Sequence, residues 1–288
     1  MNTAFTGTVG LTPTPFERDG ALDLFAFSKL CKSLSGAGVA PAVCGAAGEA
    51  RTLCMRERSA LICEAVGACR GKAHVCIDPA EGDRALETAR EAYALGARGL
   101  IIEAGQSAVA AGFFSFVREA ASIGLPVCVT RQGGRSTLGV YAELGSIDGV
   151  EAIAEQGRVP FEALTLDGML CGRRKTAGLP YVVCGCGETL PFAGVVGARG
   201  CICAEAALFP RRFAAILKAP AEVRAAEALR FSDLRALLCM PDAPAFLKYA
   251  LHLEGLCLPT VRLPLTEPDA AAKERLDRAL RQAERAGR

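Results

Sequence analysis

The feature that most constrains this chain is a repeated beat: a short apolar run, a turn, then a stretch with apolar residues at helical spacing. Gly7 to Phe16 leads through Thr12-Pro13-Thr14-Pro15 and Asp19-Gly20 into Leu22 to Leu34. Val39 to Cys44 precedes Met55 to Cys69, Ala73 to Ile77 precedes Asp83 to Leu95, and Gly99 to Ile102 precedes Ala111 to Ile123. Apolar runs of roughly four to eight residues bounded by turn signals suit strands covered on both faces. Glycines at 36, 38, 71, 96 and 99 end helices or open strands.

The second half adds Pro126 to Val129, Val150 to Ile153, Tyr181 to Cys184 and Gly200 to Ala204, which brings the strands to eight. Parallel strands need crossover helices, and closing the sheet leaves no edge exposed. The predicted class is therefore α/β, a closed (β/α)8 barrel over residues 1–220, with a doubly wound open sheet as the alternative. Beyond Pro220 the pattern is helical, with Glu222 to Leu238, Ala243 to Gly255 and Ala270 to Ala286 separated by prolines. Residues 221–288 are read as a C-terminal helical extension packed on the barrel, one structural unit with it.

Composition narrows the function classes. With 51% hydrophobic residues, 22% charged residues and a net charge of +2, the chain has a large core and no electrostatic pull toward nucleic acid or anionic membrane. No apolar run reaches membrane-spanning length and Met1 to Gly10 lacks the features of a secretory signal, so a cytoplasmic location is expected, with no membrane partner. In that setting the 14 cysteines read as reduced core thiols. Cys184-Gly185-Cys186 and Cys201-Ile202-Cys203 put thiols on shared strand faces, but structural zinc sites favour Cys-x-x-Cys knuckles, so no metal is expected. His74 and His252 have no sequence partners for a catalytic triad or metal site and read as satisfied structural histidines.

Gly45-Ala46-Ala47-Gly48-Glu49, followed by Leu53 and Glu57-Arg58, is a glycine-bracketed turn between a strand end and a helix. It resembles the Gly-Thr-Thr-Gly-Glu signature of the dihydrodipicolinate synthase and N-acetylneuraminate lyase family, with both threonines replaced by alanine. Thr14-Pro15-Phe16 and Asp19-Gly20, Gly197-Ala198-Arg199-Gly200-Cys201-Ile202-Cys203, and Val261-Arg262-Leu263-Pro264-Leu265 are similar to further family motifs in the family's order. The resemblance covers essentially the whole chain. It implies a TIM barrel with a three-helix C-terminal extension, assembled as a homo-oligomer, a dimer or tetramer.

The resemblance also implies a chemistry. Family members form a Schiff base between a strand-six lysine and a keto acid, a step that needs a neutral amine. Gly149-Val150-Glu151-Ala152-Ile153-Ala154-Glu155 is similar to the segment around that lysine and places Ala154 at its position. The competing strand, Phe161 to Leu166, holds no lysine either. Lys29, Lys32, Lys72, Lys175, Lys218, Lys248 and Lys273 fall in predicted helices or loops and read as solvated charges. Thr130-Arg131-Gln132-Gly133-Gly134-Arg135 takes the place of the segment bearing the proton-relay tyrosine, so the phenol becomes Thr130 while Arg135 keeps the arginine. Glu103-Ala104-Gly105-Gln106 stands where the family has paired tyrosines.

The expected site therefore comprises the family-equivalent positions Ala46, Ala47, Glu49, Thr130, Arg131, Arg135, Ala154, Cys184 and Cys203, with no cofactor. Arg131 and Arg135 suit a carboxylate or phosphate. The leading expectation is a barrel inactive as a pyruvate aldolase that binds a small carboxylate without a covalent bond. The alternatives are a lyase or hydrolase using groups such as Glu49, Glu155, Arg131 or Cys203, and a structural subunit assembled with an active homologue. Losing four side chains from one region leaves space, which Arg131 and the Glu103 to Gln106 loop are expected to fill in part.

Overall fold

In a computed structural model, which describes residues 4–104, 111–131, 138–155, 181–184, 190–194 and 198–284, the apolar runs are eight parallel strands. They are β1 (Gly7–Leu11), β2 (Val39–Val43), β3 (His74–Ile77), β4 (Gly99–Ala104), β5 (Val127–Arg131), β6 (Val150–Glu155), β7 (Tyr181–Cys184) and β8 (Gly200–Cys203). Each pairs with the next, and β8 returns to β1, which closes the barrel. The doubly wound alternative is excluded, because every strand pairs on both sides and the sheet has no edge strand. The competing strand from Phe161 to Leu166 lies outside the described residues; Val150–Glu155 pairs with β5 on one side and β7 on the other.

Helices α1 (Leu24–Gly36), α2 (Met55–Ala68), α3 (Asp83–Ala94), α4 (Ala111–Ser122) and α5 (Leu138–Gly145) follow the first five strands and cover the outside of the sheet. Their apolar faces form a core with the outward-facing strand residues Val43, Val75, Leu100, Ile102, Val127 and Val129. The lumen is filled separately by Phe5, Val9, Ala42, Cys76, Ile101, Cys128, Ala152, Ala154 and Ile202. Several of these are small, and Cys76 and Cys128 are two of the small fillers; eight of the eleven cysteines whose side chains are described are buried. At the floor Phe5 stacks on His74 with ring centroids 4.9 Å apart. His74 is fully buried and burial lowers its pKa to about 3, yet neither ring nitrogen has a hydrogen-bond partner among the described residues. It is a neutral apolar plug, where the sequence suggested a hydrogen-bonded histidine. His252 fits that reading better, its Nδ1 lying 3.0 Å from the Cys257 carbonyl.

After β8 come α6 (Glu205–Leu208), α7 (Pro210–Ile216), α8 (Ala221–Arg230), α9 (Ser232–Leu238), α10 (Ala243–Leu253) and α11 (Ala270–Glu284). The single helix expected from Glu222 to Leu238 is two helices that meet at Phe231. That ring is buried and packs edge-on against Phe209 and Phe213, each centroid 5.1 Å away. These helices share a core with Leu30, Leu34, Val39, Cys201 and Cys203, which holds them against the β8–β1–β2 side of the barrel.

Candidate functional site

The turn after β2 is two short 3-10 segments, Ala46–Gly48 and Ala50–Thr52. Cys44 and Glu49, on either side of Ala46–Gly48, have φ of 60° and 55°. Left-handed backbone costs a non-glycine residue about 1–2 kcal/mol, so something outside the turn must hold it. For Glu49 the holder is the extension. Its buried carboxylate forms an ion pair with Lys248 of α10, and its Oε2 accepts a hydrogen bond from Arg262 N at 2.8 Å. Thr14 Oγ1 donates to Gly48 O at 2.7 Å, and a Cβ at Gly48 would lie 3.0 Å from Thr12 O, so the turn is pressed onto the segment after β1.

Lys248 Nζ also donates to Thr260 O at 2.8 Å and lies 3.9 Å from the centroid of the Phe16 ring. Burial lowers its pKa to about 8, against the opposing pull of Glu49. The guanidinium carbon of Arg262 is 4.2 Å from the same ring, and its nitrogens donate to Gly20 O, Thr52 O and the Glu57 carboxylate. That last pairing pulls the pKa of Glu57 down to about 2, and Glu57 Oε2 also accepts from Cys54 N at 2.9 Å, its half of a capping box at the start of α2. Lys248 is thus a correction to the sequence reading, which treated every lysine as solvated. Lys29, Lys32, Lys72 and Lys218 are exposed, whereas Lys248 has no exposed surface.

The second feature is a layer across three strands near the C-terminal end of the barrel. Glu103 of β4 is in register with Thr130 of β5, and Thr130 with Ala154 of β6. Thr130 and Ala154 are buried. Glu103 reaches toward the β2 turn, where its Oε2 accepts a hydrogen bond from Ala46 N at 2.8 Å. Burial raises its pKa, and the nearby Asp78 and Glu81 push the same way.

Comparison with known proteins shows the family on two grounds. A model of the dihydrodipicolinate synthetase family matches residues 4–104 and 165–283. A 4-hydroxy-tetrahydrodipicolinate synthase of Hyphomonas neptunium is 30% identical over 96% of this chain and 97% of its own length. The chain belongs to the dihydrodipicolinate synthetase family. A synthase of Zymomonas mobilis is 26% identical over 96% of this chain and 98% of its own. In fold, the chain is similar to the chloride-inhibited dihydrodipicolinate synthase of Acinetobacter baumannii complexed with pyruvate, at a TM-score of 0.83 and 23% identity over 98% of this chain and 99% of that one.

Three of the motifs that carry likeness to the dihydrodipicolinate synthetase family, around Thr14–Gly20, Gly45–Arg58 and Arg262, converge on the clamp around Phe16. Thr14, Gly20, Glu49, Glu57 and Arg262 all bond within it, so these family features hold the turn and the extension together. Glu49 is part of this clamp through its carboxylate. Between the two matched segments lie β5 and β6, the strands that carry Thr130 and Ala154.

Of the remaining expected site residues, Ala46 is exposed beside the Glu103 carboxylate, and Ala47 is half-buried against the apolar core of the extension. Cys203 is buried on β8, its Sγ 3.9 Å from that of Cys201. Cys184 pairs in register with Cys201. For Arg131, Glu155 and Cys184 the backbone alone is described; Gly105, Gln106, Arg135, Lys175 and Cys186 lie outside the described residues. Glu103 entered the sequence reading as a loop plug and not as a site residue. Its signal was a lone carboxylate closing the apolar run Leu100 to Ile102. A separate cavity of about 550 Å³ lies at the opposite, N-terminal end of the strands, lined by Arg118, Pro126, Asp148, Gly149 and Glu151 among others.

Proposed function

We propose that this member of the dihydrodipicolinate synthetase family forms no Schiff base with a keto acid and holds a small carboxylate at the barrel mouth without a covalent bond. The observation that carries the reading is the Glu103–Thr130–Ala154 layer. The position that resembles the family's lysine bears a methyl group, its neighbour in register bears a hydroxyl where the family has a phenol, and no described strand carries a lysine. Retention of the glycine, proline and clamp residues supports a fold kept for binding. Borohydride trapping in the presence of pyruvate, read by intact-protein mass spectrometry, tests it. No mass increase is expected, and a reduced pyruvyl adduct on any lysine would overturn it. A thermal-shift screen of keto acids and sugar acids then tests the carboxylate, with a dose-dependent rise in melting temperature expected for at least one compound.

A second reading is favoured by the names of the curated relatives, which are synthases. On that reading Lys175, which lies outside the described residues, supplies the amine, and a borohydride adduct at Lys175 is the outcome that selects it. The raised pKa of Glu103 supports a third reading, a lyase or hydrolase acting on a small keto or sugar acid with that carboxyl as the acid. Assembly as a dimer or tetramer, or with a lysine-bearing homologue, belongs to the proposal too. Native mass spectrometry and co-purification read it directly.

A further inference from the structure

Outside the barrel, where α1 and α2 meet, two cysteines lie in contact. Cys31 of α1 and Cys69, the residue that caps the end of α2, are both buried and stand 38 positions apart in sequence. Cys69 Sγ donates to Cys31 O at 3.4 Å, and the Cys31 thiol in turn is hydrogen-bonded to the Cys69 sulfur. The pair is unequal. Its bond to Cys31, the Ser35 hydroxyl and the Lys72 ammonium draw the pKa of Cys69 below that of an ordinary thiol. The bond to Cys69, burial and Glu64 push that of Cys31 up.

Cys69 stands at the edge of its core, since Ser35 is half-buried and Arg70 and Lys72 are exposed. The chain leaves α2 through two consecutive left-handed residues, Arg70 at φ 53° and Gly71 at φ 73°. The first adopts that conformation against its preference, and a helix end of this kind opens at less cost than the whole fold. Opening there uncovers the more acidic thiol while its partner stays within reach on α1. We propose that Cys31 and Cys69 are a hydroperoxide-sensitive dithiol that closes to a disulfide joining α1 to α2. The Cys69 thiolate attacks the terminal oxygen of the hydroperoxide, which breaks the O–O bond, releases an alcohol or water and leaves a sulfenic acid. The Cys31 sulfur then displaces hydroxide from that sulfenic acid, and the hydroxide takes up the Cys31 proton and leaves as water. Two thiols are oxidised and the hydroperoxide is reduced by two electrons; with hydrogen peroxide the products are one disulfide and two waters. The loop so closed contains β2 and the left-handed turn with Glu49, so the bond restrains that turn from outside the barrel.

Treatment of the full chain with hydrogen peroxide, alkylation of the remaining thiols with N-ethylmaleimide in denaturant and non-reducing peptide mapping test the pair. The expected result is a linked peptide joining Cys31 to Cys69, with the loss of two hydrogens, that dithiothreitol reverses. In Cys31→Ala a dimedone adduct should appear on Cys69, whose sulfenic acid then lacks its partner. In Cys69→Ala neither a linkage nor an adduct on Cys31 should form. The oxidised wild type should melt about 5 °C or more above the reduced chain, since closing a long loop restricts the unfolded state. Recovery of both cysteines alkylated after peroxide, or joined to other cysteines, overturns the pair, and so does a linked chain that melts below the reduced one. A dimedone adduct on Cys31 in Cys69→Ala overturns the order of attack. Melting curves show whether each variant is folded, and the wild-type map decides the linkage without them.

Discussion

Lys248 of α10 and Glu49 of the turn after β2 form an ion pair in which neither side chain retains any solvent exposure. It ties the C-terminal extension to the turn whose backbone is left-handed at Glu49. Breaking one partner of such a pair leaves an uncompensated buried charge. Lys248→Met and Glu49→Gln should each destabilise the chain by about 3–5 kcal/mol in urea unfolding. The double variant should lose much less than the sum of the two, because it strands no charge.

The same pair sets a pH dependence. The folded-state pKa of Lys248 is about 8 against 10.5 for an ordinary lysine. Between these values the unfolded chain holds the proton and the folded chain does not, so the contribution of Lys248 to stability rises with pH across that window. Urea midpoints of wild type and Lys248→Met, measured from the lower to the upper value, should diverge in favour of the wild type. Parallel curves would show that the lysine keeps its ordinary pKa.

Glu57 acts at the acidic end and with the opposite sign. Its hydrogen bonds with Arg262 hold its pKa at about 2 against an ordinary 4.5. The stabilisation is complete above the ordinary value and is lost as pH falls through the folded one. A Glu57→Gln variant should therefore be less stable than wild type at neutral pH, and the difference should shrink through the acid window. Because the pair is partly exposed, added salt should reduce the neutral-pH difference.

Restoring an amine at the family position should not restore aldolase turnover. In Ala154→Lys only the amine returns, and Schiff-base turnover also needs groups that move protons. That relay is not restored, since Thr130 replaces the phenol and Ala46 and Ala47 replace the threonines. No pyruvate consumption in a coupled assay is expected from this variant, and measurable turnover would refute the argument.

Much of the fold is written in one dimension. Short apolar runs set between amphipathic helices and glycine turns can be buried on both faces only in a parallel sheet wrapped by helices, and the number of such runs closes the barrel. The motif residues Thr14, Gly20, Glu49, Glu57 and Arg262 could be picked out, as could the alanine at 154, because spacing and order are properties of the chain itself. The sequence did not reveal that those motifs form a clamp, or that Lys248 is inside it. Helical periodicity marks an apolar face but does not say what covers it, although the apolar neighbours Phe246, Leu247, Tyr249 and Ala250 were a signal. Nor did it reveal the break at Phe231, since good helix formers stand on both sides and a ring packed against Phe209 and Phe213 decides the bend.

Tertiary structure alone decided which residues share the barrel-top layer. Val127 pairs with Val150, but Cys128 pairs with Ala152, a one-residue shift that passes over Glu151. Because side chains alternate along a strand, a shift of one residue exchanges the inward and outward sets. It brings Ala154 into line with Thr130 and Glu103, where an unshifted register would have placed Ile153 opposite Thr130. Register in a closed barrel is set by the packing of all its strands together, so the neighbours of Glu103 are fixed by the closed sheet and not by any segment read alone.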